Sequence, residues 1–343
     1  ERILSHEAGY VFRKNDPGGE TRFGISKRCI SPDSVVLTAN LHWKKAQDLA
    51  VGDKLLAFDE VPEKHGKLNL RRFRESIVEA VGPVILPAHK ITTENRVIIA
   101  SDDHQWLRRW GTHRVFEWVR TADLLKTNKR WTTGVDVRIA TLFAPWEVLN
   151  TREAGYLAGV LDGEGHIDAT LNFTQKPNVV VTQALDAAQK LGLEFRRGKE
   201  RHGVHSYRLV NCDEPFAALS VAGRLGAARL LENAAKRLIG RSIASTKNRH
   251  DLVLSTEAIG NQNLIGVTTS TKTLIVDGYL SHNSYPHLNI KTLTREQAIA
   301  IYKRDFWDRL DMESLPCGAA FQLLDFAVNS GIETAVRSLQ RAI

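Results

Sequence analysis

Between Cys29 and about Ile139 the apolar residues fall into short runs: Ser34–Thr38, Lys54–Phe58, Ile77–Val81, Val97–Ala100 and Val135–Ile139. Gly, Pro, Asp and Asn separate them, a texture that predicts an all-β unit. From Thr151 the spacing turns helical, with Thr151 placed as the N-cap of Arg152–Leu161. An extended run over His166–Thr174 follows, then a helix over Val181–Leu191 closed by Gly192, a hairpin around Arg196–Leu209 and a basic helical stretch over 216–240. Strand-like runs return at Leu252–Ser255, Leu264–Thr268 and Thr273–Val276. The two ends differ. Residues 1–28 predict a short helix and then a loop dense in turn formers, Asn15–Thr21, and Glu1 opens inside the helical run. After Ser284 helices resume: Thr294 and Gln297 form a capping box for Arg295–Trp307, Ser314–Ser330 runs up to Gly331, and a last helix starts at Thr334.

This order predicts a helical domain split by a β unit that is itself split by an α/β insert. The boundaries fall at 1–28, 29–150, 151–241, 242–283 and 284–343. No internal repeat or low-complexity tract explains the layout. The 343 residues allow several domains with ample core, and 43% hydrophobic with 25% charged residues is ordinary for a globular chain. The net charge of +8 suits a polyanion such as DNA or a wall polymer, and equally a solvated basic surface. The only cysteines, Cys29, Cys212 and Cys317, make neither a disulfide framework nor a zinc pattern, which predicts a reducing, cytoplasmic compartment. No apolar run is long enough to span a bilayer and Glu1 opens no signal peptide, so no membrane partner is expected.

The changes of texture coincide with reactive residues. At the second change the chain reads Y-L-S-H-N-S, Tyr279 to Ser284. An Asn amide can attack its own carbonyl and close a succinimide, breaking the chain after Asn283, and His282 beside it can protonate the leaving amine. Taken by itself, His-Asn-Ser is an ordinary surface turn. At the first change stands Cys29, in C-I-S-P-D-S-V-V-L-T, followed by W-K-K-A-Q-D-L-A-V-G-D-K-L-L-A-F-D-E. Between them S-D-D-H-Q-W carries Ser101 and His104.

Over Cys29–Asn283 the chain resembles an intein, a self-splicing element of the Hint type: an opening Cys block, a T-x-x-H-like block, a closing strand block ending in H-N, and a hydroxyl residue after it. The resemblance implies an all-β horseshoe and a cofactor-free autocatalytic sequence on the chain itself. The Cys29 thiol attacks the Arg28 carbonyl, with His104 protonating the departing nitrogen. Ser284 takes the acyl group, Asn283 cyclises with help from His282, and Arg28 is joined to Ser284. Ser101 replaces the family's Thr. Gly266 stands where many inteins place an Asp, and the His often found near Thr271–Thr273 is missing, so the group that assists Ser284 stays open.

Within the insert, Y-L-A-G-V-L-D-G-E-G-H-I-D over Tyr156–Asp168 resembles the LAGLIDADG signature of homing endonucleases, matched over Leu157–Gly165. The resemblance implies close helix packing at Ala158 and Gly159, Mg2+ held by Asp162 and Glu164 if the insert is active, and double-stranded DNA met by Arg196, Arg197, Lys199, Arg201 and Arg208. Only one copy of the motif occurs, so cleavage would need a homodimer through that helix. A decayed half-endonuclease is the other reading.

The flanks, joined without Cys29–Asn283, read S-H-E-A-G-Y, D-P-G-G-E-T-R-F-G-I-S-K-R, W-D-R-L and L-D-F-A-V-N-S-G. They resemble the phage and bacterial N-acetylmuramidases, lysozyme-like helical proteins with an E-G-G-Y motif. The resemblance makes Glu7 the catalytic acid and peptidoglycan the substrate of the spliced host. Two rival functions remain: a DNA endonuclease on an inert β scaffold, and a wall hydrolase with an inert insertion.

Overall fold

The computed structural model describes residues 11–12, 20–21, 28–65, 68–110, 116–126, 136–168, 170–212, 215–243, 250–283, 294–330 and 332–342. The chain separates into two compact units, one of Glu1–Lys27 with Tyr285–Ile343, the other of Arg28–Ser284. Strands dominate the second unit and helices the C-terminal part of the first. No helix among the described residues is long and apolar enough to cross a membrane.

The strands that position the candidate chemistry are β1 (Cys29–Ile30), β2 (Phe73–Thr93), β3 (Val97–Ser101), β4 (Gln105–Trp110), β5 (His250–Thr269), β6 (Thr273–Val276) and β7 (Tyr279–His282). β1 lies between β3 and β5, with Ile30 opposite Ala100 on one side and Cys29 opposite Gly266 on the other. β6 and β7 form a hairpin whose turn, Asp277–Gly278, has both φ values positive (51° and 87°). That conformation matches the twist of a two-residue hairpin, and an Asp-Gly pair adopts it readily. β7 then pairs with β4, His282 opposite Gln105 and Ser281 opposite Trp106.

β2 and β5 are far longer than the apolar runs suggest. They pair antiparallel from Val253 opposite Thr93 to Thr269 opposite Val78, where the sequence predicts only Ile77–Val81, Leu252–Ser255 and Leu264–Thr268. Two causes hide this ribbon. Most side chains over 254–263 are exposed or half-buried on both faces, so no alternation marks the strand. Pro83 and Pro87 read as breakers, but between Ile77 and Ala88 the described residues of β2 pair only with β5. No second strand pairs there among the described residues, although the Pro87 carbonyl accepts the Asp102 N–H at 3.1 Å, and a proline nitrogen facing an unpaired edge forfeits no ladder bond.

The inserted segment is a four-stranded antiparallel sheet, in spatial order Gly165–Ile167, Leu171–Gln175, Val204–Leu209, Phe195–Arg201, with four helices: α1 (Arg152–Glu164), α2 (Val179–Lys190), α3 (Pro215–Leu225) and α4 (Ala228–Leu238). Thr151 caps α1 as predicted, accepting the Ala154 N–H at 3.2 Å. The extended run His166–Thr174 is two strands, and the helical stretch 216–240 is two helices, broken at Gly226 (φ 77°). α1 buries Ala154, Leu157, Ala158 and Leu161 along one stripe in this chain's own core. The insert shares that core with the β unit: the Phe216 ring of α3 packs on Phe143 (5.0 Å between centroids) and Phe73 (6.2 Å).

In the other unit Val11–Phe12 pairs with Glu20–Thr21, so part of the expected loop is strand. The helix expected before it lies outside the described residues. The capping box at Thr294 and Gln297 is present and opens α5 (Arg295–Tyr302), continued by a five-residue π turn to Trp307. α6 (Cys317–Ser330) starts three residues later than expected, because Met312–Ser314 form a separate 3-10 turn ahead of Pro316. α7 spans Ile332–Ala342.

The β6–β7 turn has no room for a side chain. A Cβ on Gly278 would stand 1.7 Å from the Phe143 carbonyl oxygen, at a φ that disfavours L residues. Gly278→Ala is expected to cost more than about 1 kcal/mol, read as a lower denaturant midpoint at unchanged slope.

Candidate functional site

Both junctions are anchored to one short turn. β3 ends at Ser101 and β4 starts at Gln105, and the turn between them is closed by the His104 N–H on the Ser101 carbonyl (3.0 Å). The Ser101 Oγ accepts the Cys29 N–H at 2.9 Å. That nitrogen belongs to the Arg28–Cys29 peptide bond. Gln105, the next residue after His104, pairs with His282. Cys29, Ser101, His104, His282 and Asn283 are all buried. The His104 ring packs against Trp106 (4.6 Å), and neither of its ring nitrogens has a hydrogen-bond partner among the described residues.

Asn283 is held by two of its own donors. Its N–H donates to the Lys272 carbonyl (3.0 Å) and its Nδ2 to the Thr269 Oγ1 (2.8 Å), while its Oδ1 is buried without a partner among the described residues. Thr269 in turn donates its hydroxyl to the Thr273 carbonyl at 3.2 Å, so its oxygen faces the Asn283 amide as an acceptor. His282 Nδ1 lies 2.7 Å from the Asn283 carbonyl oxygen, and Nε2 lies 2.9 Å from Glu60 Oε1. The Arg28 side chain reaches the same place across 254 residues of sequence: its Nη1 is 2.5 Å from His282 Nδ1 and 3.4 Å from the Asn283 carbonyl oxygen.

One imidazole nitrogen cannot accept from a guanidinium and donate to a carbonyl at once. The two contacts of Nδ1 therefore cannot both be hydrogen bonds in one protonation state. In the neutral ring Nε2–H donates to Glu60 and Nδ1 accepts from Arg28. In the imidazolium Nδ1–H donates to Asn283 O, and Arg28 is repelled. Sequence reasoning aims His282 at the leaving amine; here its Nδ1 faces the carbonyl oxygen of that bond.

Burial dominates the electrostatics. It drives His104 down to about 3, helped by the nearby charges of Arg28 and His282. It also lowers His282, with Arg28 acting in the same direction and Glu60 against it. Burial pushes the Asp103 carboxyl up to about 7, although Arg120, 3.2 Å away, and Arg28 favour its charged form. The Arg28 guanidinium is lowered by burial against the pull of Asp103 and Glu60.

Glycosyl hydrolase 108 is the family that matches the chain, over residues 1–48 and 255–331. The two ends carry this hydrolase pattern. Its inner edges run past both junctions into the β unit. No curated protein matches. Solved structures similar over the middle are inteins and an intein-like domain. The DnaB intein from Synechocystis sp. PCC 6803 has a TM-score of 0.34 at 11% identity, covering 75% of this chain and 99% of that one. The gp41-1 intein has 0.31 at 11%, covering 75% and 100%. The bacterial intein-like domain from Clostridium thermocellum has 0.31 at 10%, covering 75% and 99%.

The remaining predicted residues are dispersed. Glu7 of the hydrolase flank and Ser284 after the second junction lie outside the described residues. Asp162 and Glu164 close α1, but Asp162 Oδ1 accepts the Leu230 N–H at 2.9 Å and so caps α4, while Glu164 is exposed. Among the described residues no group of three His, Cys, Asp or Glu side chains could hold a metal ion. Ala158 is buried in this chain's own core, whereas Gly159 lies on the open face. Arg196, Arg197, Lys199 and Arg201 stand exposed on one strand, and Arg208 on its neighbour. Sequence reasoning missed Thr269, Glu60 and the reach of Arg28. The first lies in a run of ordinary strand threonines and the second in a strand-end acidic pair, with no local signal for either.

The unfolded chain takes up the His104 proton near the ordinary 6.5, the folded chain only near 3, so this group removes stability as pH falls through that window. Asp103 acts oppositely: its folded carboxyl holds a proton up to about 7 against an ordinary 3.8, so stability is lost as pH rises through that range. His104 is expected to stay neutral from about pH 8 to about pH 5. Imidazole nitrogen shifts in an Asn283→Ala chain check this, and a midpoint near the ordinary value would show the ring to be hydrated.

Proposed function

We propose that Arg28–Ser284 carries out autocatalytic protein splicing and restores a peptidoglycan-hydrolysing domain from its two flanks. The reading rests on one observation: the residue before Cys29 touches His282 and the carbonyl oxygen of Asn283, so two junctions far apart in sequence share one buried site. An inert insertion gives no reason for a thiol, a self-cyclising amide and two histidines to be buried together. On this reading the β unit is a Hint-type horseshoe and the precursor acts in the cytoplasm.

Each step exchanges one acyl bond for another. The Cys29 sulfur bonds to the Arg28 carbonyl carbon and the C–N bond breaks, the thiol proton ending on the Cys29 nitrogen. Ser101 holds that nitrogen through its hydrogen bond. His104 is buried and neutral, able to relay a proton rather than store one. The Ser284 hydroxyl next displaces the sulfur, which regains a proton as thiol. Asn283 Nδ2 then bonds to its own carbonyl carbon and releases the Ser284 nitrogen. The amide gives up one proton and the amine gains one. Thr269 accepts from Nδ2 and steadies it for attack, and His282 Nδ1 is placed to donate to the carbonyl oxygen on which charge develops. The freed amine takes the acyl group from its ester, giving an Arg28–Ser284 peptide bond.

Intact mass after expression tests the sequence of steps. The unaltered chain is expected to yield the excised segment Cys29–Asn283 and the joined flanks. Cys29→Ala should give only breakage after Asn283. Asn283→Ala should stop at a thioester or branched ester that a thiol or hydroxylamine cleaves. An unprocessed full-length chain in all three would refute splicing, and wall lysis surviving Asn283→Ala would favour a hydrolase with an inert insertion.

A further inference from the structure

We propose that Glu60 is a positioning residue for the Asn283 step: its carboxylate receives the Nε2–H of His282, turns Nδ1 onto the Asn283 carbonyl oxygen, and supplies the counter-charge for the imidazolium that donates there. This rests on the splicing reading above and adds a group to it. Glu60 ends the run that follows the Cys29 block and stands 222 residues before its partner.

The place is built rather than fortuitous. Glu60 Oε1 stands 2.9 Å from Nε2, with the Glu60 side chain about four-fifths buried (22% exposed) and the His282 side chain nearly fully so (9%). The Glu60 backbone is fixed from the other side. Its carbonyl accepts from Trp118 Nε1 at 3.2 Å and from Arg71 Nη1. The Trp118 ring meets the His282 ring edge-on (5.3 Å, 81°), and the Arg71 guanidinium stacks over Trp118 at 5.2 Å. His282 thus has an aromatic wall, a carboxylate at one nitrogen and the reacting carbonyl at the other. A carboxylate on the far nitrogen of a histidine fixes tautomer and ring orientation and stabilises the cation formed on proton uptake.

The charged groups facing His282 decide when it can act. Arg28 disfavours its imidazolium and Glu60 favours it. Arg28 also occupies Nδ1 itself. Without Glu60 the Arg28 charge would oppose proton uptake with no counter-charge from Glu60, in a site already short of water. With it, the ring can charge in place, turn Arg28 away and stabilise the developing oxyanion. No co-reactant is needed, since the donated proton returns to the ring when the carbonyl reforms.

The test uses the full chain carrying Cys29→Ala, in which only breakage after Asn283 can occur, followed by intact mass from about pH 5 to about pH 9. Glu60→Gln keeps the shape and removes the charge. It is expected to slow breakage about tenfold near neutrality and to move the pH midpoint down by about one unit, because the active imidazolium is lost at lower pH. Glu60→Asp keeps the charge, so its midpoint should stay with Glu60 even if its rate falls. A Glu60→Gln profile superimposable on that of Glu60 overturns the proposal. A second readout needs neither cleavage nor a Glu60 variant. In the Asn283→Ala chain, imidazole nitrogen shifts are expected to show the neutral His282 proton on Nε2, and a proton on Nδ1 overturns the proposal. Absence of breakage in every chain, with the Nε2–H tautomer present, would sink the splicing reading while leaving the Glu60–His282 pair standing.

Discussion

Everything at the candidate site depends on the four-residue turn Ser101–His104. At its start Ser101 Oγ takes the Cys29 N–H, and at its end Gln105 enters the strand that pairs with His282. A turn closed by its own backbone bond is a short and stiff spacer, so the distance between the two junction strands is set by covalent geometry and one hydrogen bond. Loop entropy would otherwise oppose the meeting of segments so far apart in the chain. Sheet pairing on both sides offsets that cost: β1 is clamped by β3 and β5, and β7 by β4 and β6.

Burial then gives the site its electrical character. Water is largely excluded, so a lone charge is expensive and a directed dipole is worth more than in solution. His104 responds by staying neutral and Asp103 by holding its proton higher than usual. His282 is the exception. It lies between Glu60 and Arg28, two charges that pull its protonation in opposite directions. The same nitrogen can serve the Arg28 guanidinium or the Asn283 carbonyl, not both. That conflict ties the state of the second junction to the residue that precedes the first.

The insert is joined to the β unit by a continuous apolar core, not by a linker, through Phe216, Phe143 and Phe73. Its helix α1 carries an acidic end, but Asp162 satisfies the orphan N–H of Leu230 at the start of α4. A motif residue that suggests a metal ligand in one dimension also serves as a helix cap in three. The arginines of the strand Phe195–Arg201 are exposed.

The sequence by itself determined the reactive residue types, the caps at Thr151 and Thr294, the short strands Lys54–Phe58 and Thr273–Val276, and the two places where chain texture changes. These are local properties: side-chain chemistry, hydrogen-bond caps and hydrophobic period act over a few residues and leave a mark in the string. Tertiary structure alone decided the long β2–β5 ribbon, whose solvent-facing stretch has no apolar alternation, and the partners of the reactive groups. Thr269 on the Asn283 amide, Glu60 on His282 and Arg28 between them are meetings of side chains from separate segments of the chain. Such contacts follow from register and packing. No composition or spacing records them, because the chain neighbours of each residue are not the atoms it touches.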